Sequence, residues 1–306
     1  MFKEKVIHFY DKNYKKLLIL PMLLLVLSIA QIAYQVYSTG DFINKGTSLK
    51  GGSVISISTE TDVAVIREFL DERFPGQGIN VRSITDTGRQ IGVTIDTPAQ
   101  TDEEITPILA ALRERVQFGD DDITVEITGS SLGSSFFRQT FTALIIAFIL
   151  MSLVVFLYFR MFVPSIAVVL AGFSDLVETV AIFNLTGYEL STAGIAAFLM
   201  LIGYFVDANI LLTSRVLKRR EGTFLDRFKG AFTTGMTMIT ATFAAVIAAL
   251  IFTNSPVVRE IMVILSIGLV VDVINTWVQN AAILRIYLEK DSTHKDAHHS
   301  HGGHHE

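Results

Sequence analysis

Six long apolar runs alternate with charged stretches along the chain: Leu17–Val36, Thr140–Phe159, Val163–Leu185, Thr192–Thr213, Ala231–Phe252 and Glu260–Leu284. A hydrocarbon core of about 30 Å needs roughly 20 such residues in a helix, so each run is long enough to cross a membrane. The segment between the first two runs has a different rhythm. Ser53–Ser58 alternates polar and apolar positions as a strand does, and Val63–Arg73 carries its apolar residues at helical spacing. Ile79–Ile84 and Gln90–Ile95 read as strands around the turn Asp86-Thr87-Gly88, Asp102–Val116 as a second helix, and Ile123–Ile127 as a last strand. The predicted order βαββαβ is the ferredoxin-like split motif. The expected fold is therefore an α-helical polytopic membrane protein of six transmembrane helices, with an α+β ferredoxin-like domain inserted between helices 1 and 2.

Composition sharpens this picture. The chain is 50% hydrophobic, yet 18% of it is charged, and its mean hydropathy is +0.48. The charge must be segregated, as in spans joined to a solvated domain. With no cysteine, disulfide and zinc-thiolate chemistry are excluded. The first run lacks a small-residue cleavage site and is too long for a signal-peptide core, which points to a retained anchor.

Basic residues set the expected orientation. Lys3, Lys5, Lys12, Lys15 and Lys16 precede the first span, Arg160 follows the second, and Arg215, Lys218, Arg219 and Arg220 follow the fourth. Arg285 and Lys290 follow the sixth. Threading six helices places all of them on one side, the cytoplasm by the positive-inside tendency. The expected organisation is a cytoplasmic N-terminus at 1–16, helix 1 at 17–37 and an extracytoplasmic head at 38–138. Helices 2–6 follow within 139–288 (about 140–159, 163–185, 192–213, 231–252 and 260–284), with a basic cytoplasmic loop at 214–230. Residues 289–306 form a disordered cytoplasmic tail holding six of the seven histidines. Residues 38–135 carry 16 acidic against 8 basic side chains, an excess that keeps such a domain soluble. Within it, Asp120-Asp121-Asp122 reads as a solvated loop.

Asp175 and Asp207 stand inside spans, where a carboxylate costs roughly 2.5–3.5 kcal/mol and marks function. Glu178 shares a helix face with Asp175. Tyr204, Asn209 and Asp272 extend the set, and with Asp207, Asp175 and Glu178 on inward faces they would line a proton-accessible path. Asn275, Gln279 and Asn280 read as interhelical hydrogen bonding. Gly172, Gly194, Gly203 and Gly235 read as close helix contacts. The spans offer no nucleotide-binding loop, nucleophile elbow or metal-ligand spacing, so neither an enzyme, a metal nor a cofactor is expected.

Several segments resemble the SecD/SecF family of protein-export membrane proteins, within the resistance-nodulation-division superfamily. GTSLKGGSV at 46–54 is similar to the family's G-x-D-F-x-G-G stretch, through Gly51 and Gly52. TGSSLGSSF at 128–136 is similar to its V-G-P-x-L-G motif, through Gly129, Leu132 and Gly133. Phe159-Arg160 ends the second span as in the family. SDLVETVAIFNLTGYELS at 174–191 and IAAFLMLIGYFVDANILLTSR at 195–215, with Gly203, Asp207 and Arg215, are the most specific blocks. Ser48 stands where the family has Asp, Ser130 where it has Pro, and Ser174 where bacterial members often have His. Val206-Asp207-Ala208-Asn209 is similar to the V-D-A-N of SecD, while the length and small head match SecF of archaeal type. The resemblance covers nearly all of residues 15–288. It implies a plasma-membrane subunit that pairs with SecD beside a SecY-type channel and assists translocating polypeptide. Contact with lipids is implied, coupling to the proton gradient through Asp207 and Asp175, and no nucleic acid. A half-size exporter of lipids or small molecules is the alternative. An intramembrane aspartic protease would need G-x-G-D before its second aspartate, whereas Gly203-Tyr204-Phe205-Val206 precede Asp207.

Overall fold

The computed structural model describes residues 12–86, 89–119, 122–218, 222–253 and 255–290. Asp120, Asp121, the Thr87-Gly88 tip of the predicted turn and most of the histidine-rich tail lie outside the described residues. Helix α1 (Ile19–Thr39), entered from a helical turn beginning at Lys12, leads to a short α2 (Thr47–Lys50). The head follows as β1 (Gly52–Ser58), α3 (Val63–Arg73), β2 (Asn80–Asp86), β3 (Arg89–Thr97), α4 (Asp102–Arg115) and β4 (Ile123–Thr128). Then come α5 (Ser130–Phe159), α6 (Phe162–Leu185), α7 (Thr192–Lys218), α8 (Phe224–Phe252) and α9 (Pro256–Ile274).

The head is one antiparallel sheet of order β2-β3-β1-β4. Its register sets Ile55 opposite both Ile95 and Val125. Alternation then sends Ile55, Ile57, Val81, Val93 and Ile95 to one face, where Ile66 and Leu70 of α3 and Ile105, Ile108 and Leu112 of α4 cover them. The opposite face carries Arg82 and Asp96. Arg82 Nε donates to Asp96 Oδ2 at 2.9 Å, so the buried carboxylate keeps a paired cation.

Among the described residues, five helices are long and apolar enough to cross a membrane: the one from Lys12 to Thr39, α5, α6, α7 and α8. The expected sixth is helical but not uniformly apolar. Over 19 residues α9 carries Arg259, Glu260 and Asp272. It then opens into a π-helical segment, Asn275–Asn280, before α-helix resumes as far as Lys290. Two other expectations differ. Helix α5 begins ten residues before the apolar run does, and most of the expected basic loop is helical. Helix α8 starts at Phe224 because Thr223 and Asp226 form a reciprocal capping box there.

Helices α6 and α7 are central, while α1, α5 and α8 turn most of their surface outward. The bundle core lies in two main apolar blocks, beside a smaller one of Val155, Phe159 and Val168 on α5 and α6. Toward the head, Phe183, Phe198, Leu201, Phe205, Ile264 and Leu269 pack together, and Ile43 and Leu49 of the neck plug into them. At the other end, Leu212, Val216, Phe228, Trp277 and Leu284 form a second block. Buried polar side chains lie between the two.

Candidate functional site within the membrane bundle

The π-helical segment creates the polar layer. A wide turn adds a residue to the helical repeat and rotates the following side chains, which is why such segments recur at functional positions. Here Asn275, Thr276, Gln279 and Asn280 all become buried. Asn275 Nδ2 donates to Asp175 Oδ1 at 2.9 Å and to Glu178 Oε2 at 3.0 Å. Gln279 Nε2 donates to Ser174 Oγ at 3.2 Å. Toward α7, Asn280 Nδ2 donates to Asn209 Oδ1 at 2.7 Å and to Thr213 Oγ1 at 3.3 Å. Thr276 Oγ1 donates to Asp272 Oδ1 at 2.7 Å.

Three carboxyl groups, Asp175, Glu178 and Asp272, are thus held at no more than 2% exposure. None of them has an ion pair with a described basic residue. Amides and a hydroxyl stand where a cation would be needed to keep three charges in an apolar medium. Among the described residues no acidic or histidine cluster could hold a metal ion.

Asp207 and Tyr204 do not join the layer. Both are exposed on the outer face of α7, where Tyr204 Oη lies 3.4 Å from Thr242 Oγ1 of α8. They line a narrow crevice of about 50 Å³ between α7 and α8, and Asp272 lines it as well. A volume of that size admits a water molecule when polar groups surround it. The expectation that Asp207 faces inward is therefore corrected: it stands at the mouth of a crevice that reaches the buried layer. Gly203, expected at a close helix contact, has no atom within 4 Å of where a Cβ would stand. Helix α8 lines the crevice with Gly235, Met238, Ile239 and Thr242 and exposes Thr237, Thr240, Ala241, Ala244, Ala245 and Ala248 along a separate stripe.

The other motif glycines build a neck between head and bundle. Gly51 has φ +92°, and a Cβ there would stand 2.3 Å from Ser130 Cα. A Cβ on Gly133 would come within 2.9 Å of the Leu49 carbonyl oxygen. Only glycine allows backbones to approach so closely. A Cβ on Gly52 would stand just as tightly against β3, 2.4 Å from Thr97 O. Gly129 caps α5, and Leu132 is exposed. Arg215 Nη1 donates to Gly230 O at 2.7 Å, tying α7 to α8 at their far end.

Two further attachments had no obvious trace in the chain. Asn184 Oδ1 accepts from the Asn44 backbone N–H at 3.1 Å, while its Nδ2 donates to Phe42 O at 3.0 Å. Glu260 accepts from the Ser191 N–H at 2.7 Å and so places a carboxylate at the start of α7. The density of amides at 275, 279 and 280 was the available signal for the π segment.

Comparison with known proteins matches these features to one family. Residues 109–290 fit the model of "Protein export membrane protein SecD/SecF, C-terminal". The protein-export membrane protein SecF of Pyrococcus furiosus is 36% identical, covering 94% of this chain and 96% of its own length. That of Methanolacinia petrolearia is 37% identical, covering 92% and 97%. In the crystal structure of SecDF, a translocon-associated membrane protein from Thermus thermophilus, 92% of this chain finds a counterpart at a TM-score of 0.73 and 20% identity. That likeness concerns the fold, and this chain spans 38% of that longer one. With apolar spans, a small sheet domain and sequence agreement along almost its whole length, the chain belongs to the SecD/SecF family of protein-export membrane proteins.

Proposed function

We propose that this chain is a non-enzymatic accessory subunit of the Sec protein-export machinery, pairing with SecD beside a SecY-type channel and assisting late steps of polypeptide translocation. The observation that carries the reading is Asp207, an exposed carboxylate in the middle of α7. On a lipid-facing surface it would cost roughly 2.5–3.5 kcal/mol, so the face that bears it needs a protein or water companion. Gly203 leaves that face open to close helix packing. A SecD subunit seated there would cover Asp207 and the crevice mouth together.

In this reading α9 with its π segment is the sixth span, both termini are cytoplasmic, and the ferredoxin-like head is extracytoplasmic. The head would contact emerging polypeptide. Protons would pass from Asp207, with Tyr204 beside it, through the crevice to Asp272 and on to Asp175 and Glu178, with Asn209 bracing the layer. Energy for the late steps would come from the proton gradient. The names of the relatives favour this role over small-molecule export.

The test is secretion in cells carrying Asp207→Asn. The variant is expected to insert and co-purify with SecD while failing to support secretion. Normal secretion rejects the relay. Recovery of the wild-type chain from native membranes as a lone homo-oligomer, without SecD or channel, rejects the pairing.

A further inference from the structure

Of the three amides in the π segment, two join ordinary neutral partners: Asn280 holds Asn209 and Thr213, and Gln279 holds Ser174. Asn275 alone divides both hydrogens of one nitrogen between two acids, at 2.9 and 3.0 Å. We infer that Asn275 is a positioning residue that joins Asp175 and Glu178 into one unit sharing a single proton. The inference rests on the proton-relay reading above and adds to it which residue sets the relay's inner end.

The geometry supplies each part. Asp175 and Glu178 are three residues apart on α6 and present one face. Each places one oxygen on the shared amide and leaves the other, Asp175 Oδ2 and Glu178 Oε1, buried without a partner. A neutral amide cannot offset two negative charges at this depth, but it can serve one carboxylate and one carboxylic acid together. The acid's hydroxyl then needs an acceptor. The unpartnered oxygen of its neighbour and the equally unpartnered Asn275 Oδ1 are the candidates in the layer.

The groups on every packed element keep this balance. Besides the pair itself, α9 contributes Asp272, whose Oδ1 is engaged by Thr276. Helix α7 contributes buried Asn209 and Thr213 and exposed Asp207. Helix α1 packs on α6 and carries the uncharged Ser28 and Gln31, and α5, which also packs on α6, carries Ser152 and, toward its two ends, Arg138 and Tyr158. No described lysine, arginine or histidine pairs with the unit. Asn275 is itself fixed. Its backbone N–H bonds the carbonyls of Asp272 and Val271, and Trp277, two residues on, is wedged against Gly235.

The test uses the full chain with its SecD partner in native membranes, labelled at pH 7 with a hydrophobic carbodiimide, which reacts with protonated carboxyl groups. Mass spectrometry then reads Asp175 and Glu178 separately. Asn275→Leu removes the donor that favours the charged form, so the fraction of chains labelled at both acids, scarce while one proton is shared, should rise by about tenfold, the factor carried by one hydrogen bond to a charged group. Asn275→Gln, which retains the amide, should stay within about twofold of the parent by the same reasoning. Asn280→Leu disturbs the same segment without touching an acid and should leave the labelling unchanged. Labelling unmoved by Asn275→Leu, or raised equally by Asn280→Leu, overturns the inference and leaves the relay standing. If labelling behaves as expected but the Asp175→Asn, Glu178→Gln double variant secretes normally, the shared pair is retained and its part in the relay is rejected.

Discussion

Two glycines that the sequence presents alike should respond in opposite ways to one added methyl group. A Cβ on Gly235 would stand 2.2 Å from Trp277 Cζ2 and 2.8 Å from Cη2. The indole has little room to retreat. It is 3% exposed and edge-on to Phe232 and Phe228, with ring centroids 5.2 and 6.1 Å away. In an open helix, Gly→Ala gains about 0.5–1 kcal/mol of backbone entropy. Overpacking a filled core costs about 1–3 kcal/mol, so Gly235→Ala should come out roughly 0.5–2 kcal/mol less stable. Because Trp277 belongs to the π segment, the displacement should also disturb Asn275 and Gln279 and lower secretion. Gly203→Ala meets no atom within 4 Å and should stabilise the isolated chain by roughly 0.5–1 kcal/mol. Its effect should appear instead in pairing, as weaker recovery of SecD, because small residues set how closely helices approach in membranes. Thermal unfolding of the purified chain, read beside co-purification, separates the two cases. A Gly235→Ala chain as stable as the parent would refute the packing argument. A Gly203→Ala chain that unfolds earlier would show that this face is already filled.

Other consequences concern the neck and the loop between α6 and α7. Asn184→Leu leaves the Asn44 N–H and the Phe42 carbonyl without their side-chain partner, at about 1–3 kcal/mol for each group that stays dry. The variant should be cleaved faster by protease between residues 40 and 46 while the helices survive, and unchanged cleavage would place the head's anchorage elsewhere. Glu189, in the loop between α6 and α7, has its carboxyl held above the usual range by burial first and then by nearby Asp96, against the opposing pull of Arg82 and Lys50. A carboxyl with a raised folded pKa binds its proton more tightly in the folded state. Its contribution therefore falls as pH rises from the ordinary carboxylate range through the folded value. Parent protein should lose stability across that window, and Glu189→Gln should flatten the loss; identical pH profiles for the two would remove Glu189 as the cause.

Much of the head was legible because its residues obey one period at a time. Val63–Arg73 was read with the bounds it has, and the strands were displaced by one or two residues. Those shifts arise where pairing carries a strand past its apolar positions, as Thr97 does opposite Ser53. Membrane helices were harder to bound. Hydropathy marks the part of α5 that meets lipid but not the ten helical residues before it, which pack on the neck. The direction in which a polar side chain faces was less legible still. Asp207 and Asn209 are two residues apart on α7, one exposed and the other wholly buried. Which of them is inward depends on the rotation of α7 against α6 and α9, and no local pattern records that rotation. The π segment alters the rotation of α9 after residue 274, so a regular helix drawn through Glu260–Leu284 would misplace Gln279 and Asn280.

The placing of the two main apolar blocks at opposite ends of the bundle explains why the polar groups can lie where they do. Leu201 packs over Gly268, where a Cβ would come within 2.6 Å of its side chain, and Trp277 packs over Gly235. Each block thus locks α9 to a neighbour by a large side chain on a glycine, one on either side of the acids. Between these contacts the hydrogen-bonding groups need not supply the cohesion of the helices, so their protonation can change while the packing on both sides persists. A chain held together mainly by its polar layer would loosen whenever a proton arrived. In the proposed relay, the exposed carboxylate at 207, the crevice and the buried acids would form a path crossing the bundle sideways, from the face proposed to meet SecD toward α6. Proton entry at that face would then require the two subunits to be in contact, which would make Asp207 a reporter of assembly as well as a member of the proposed relay.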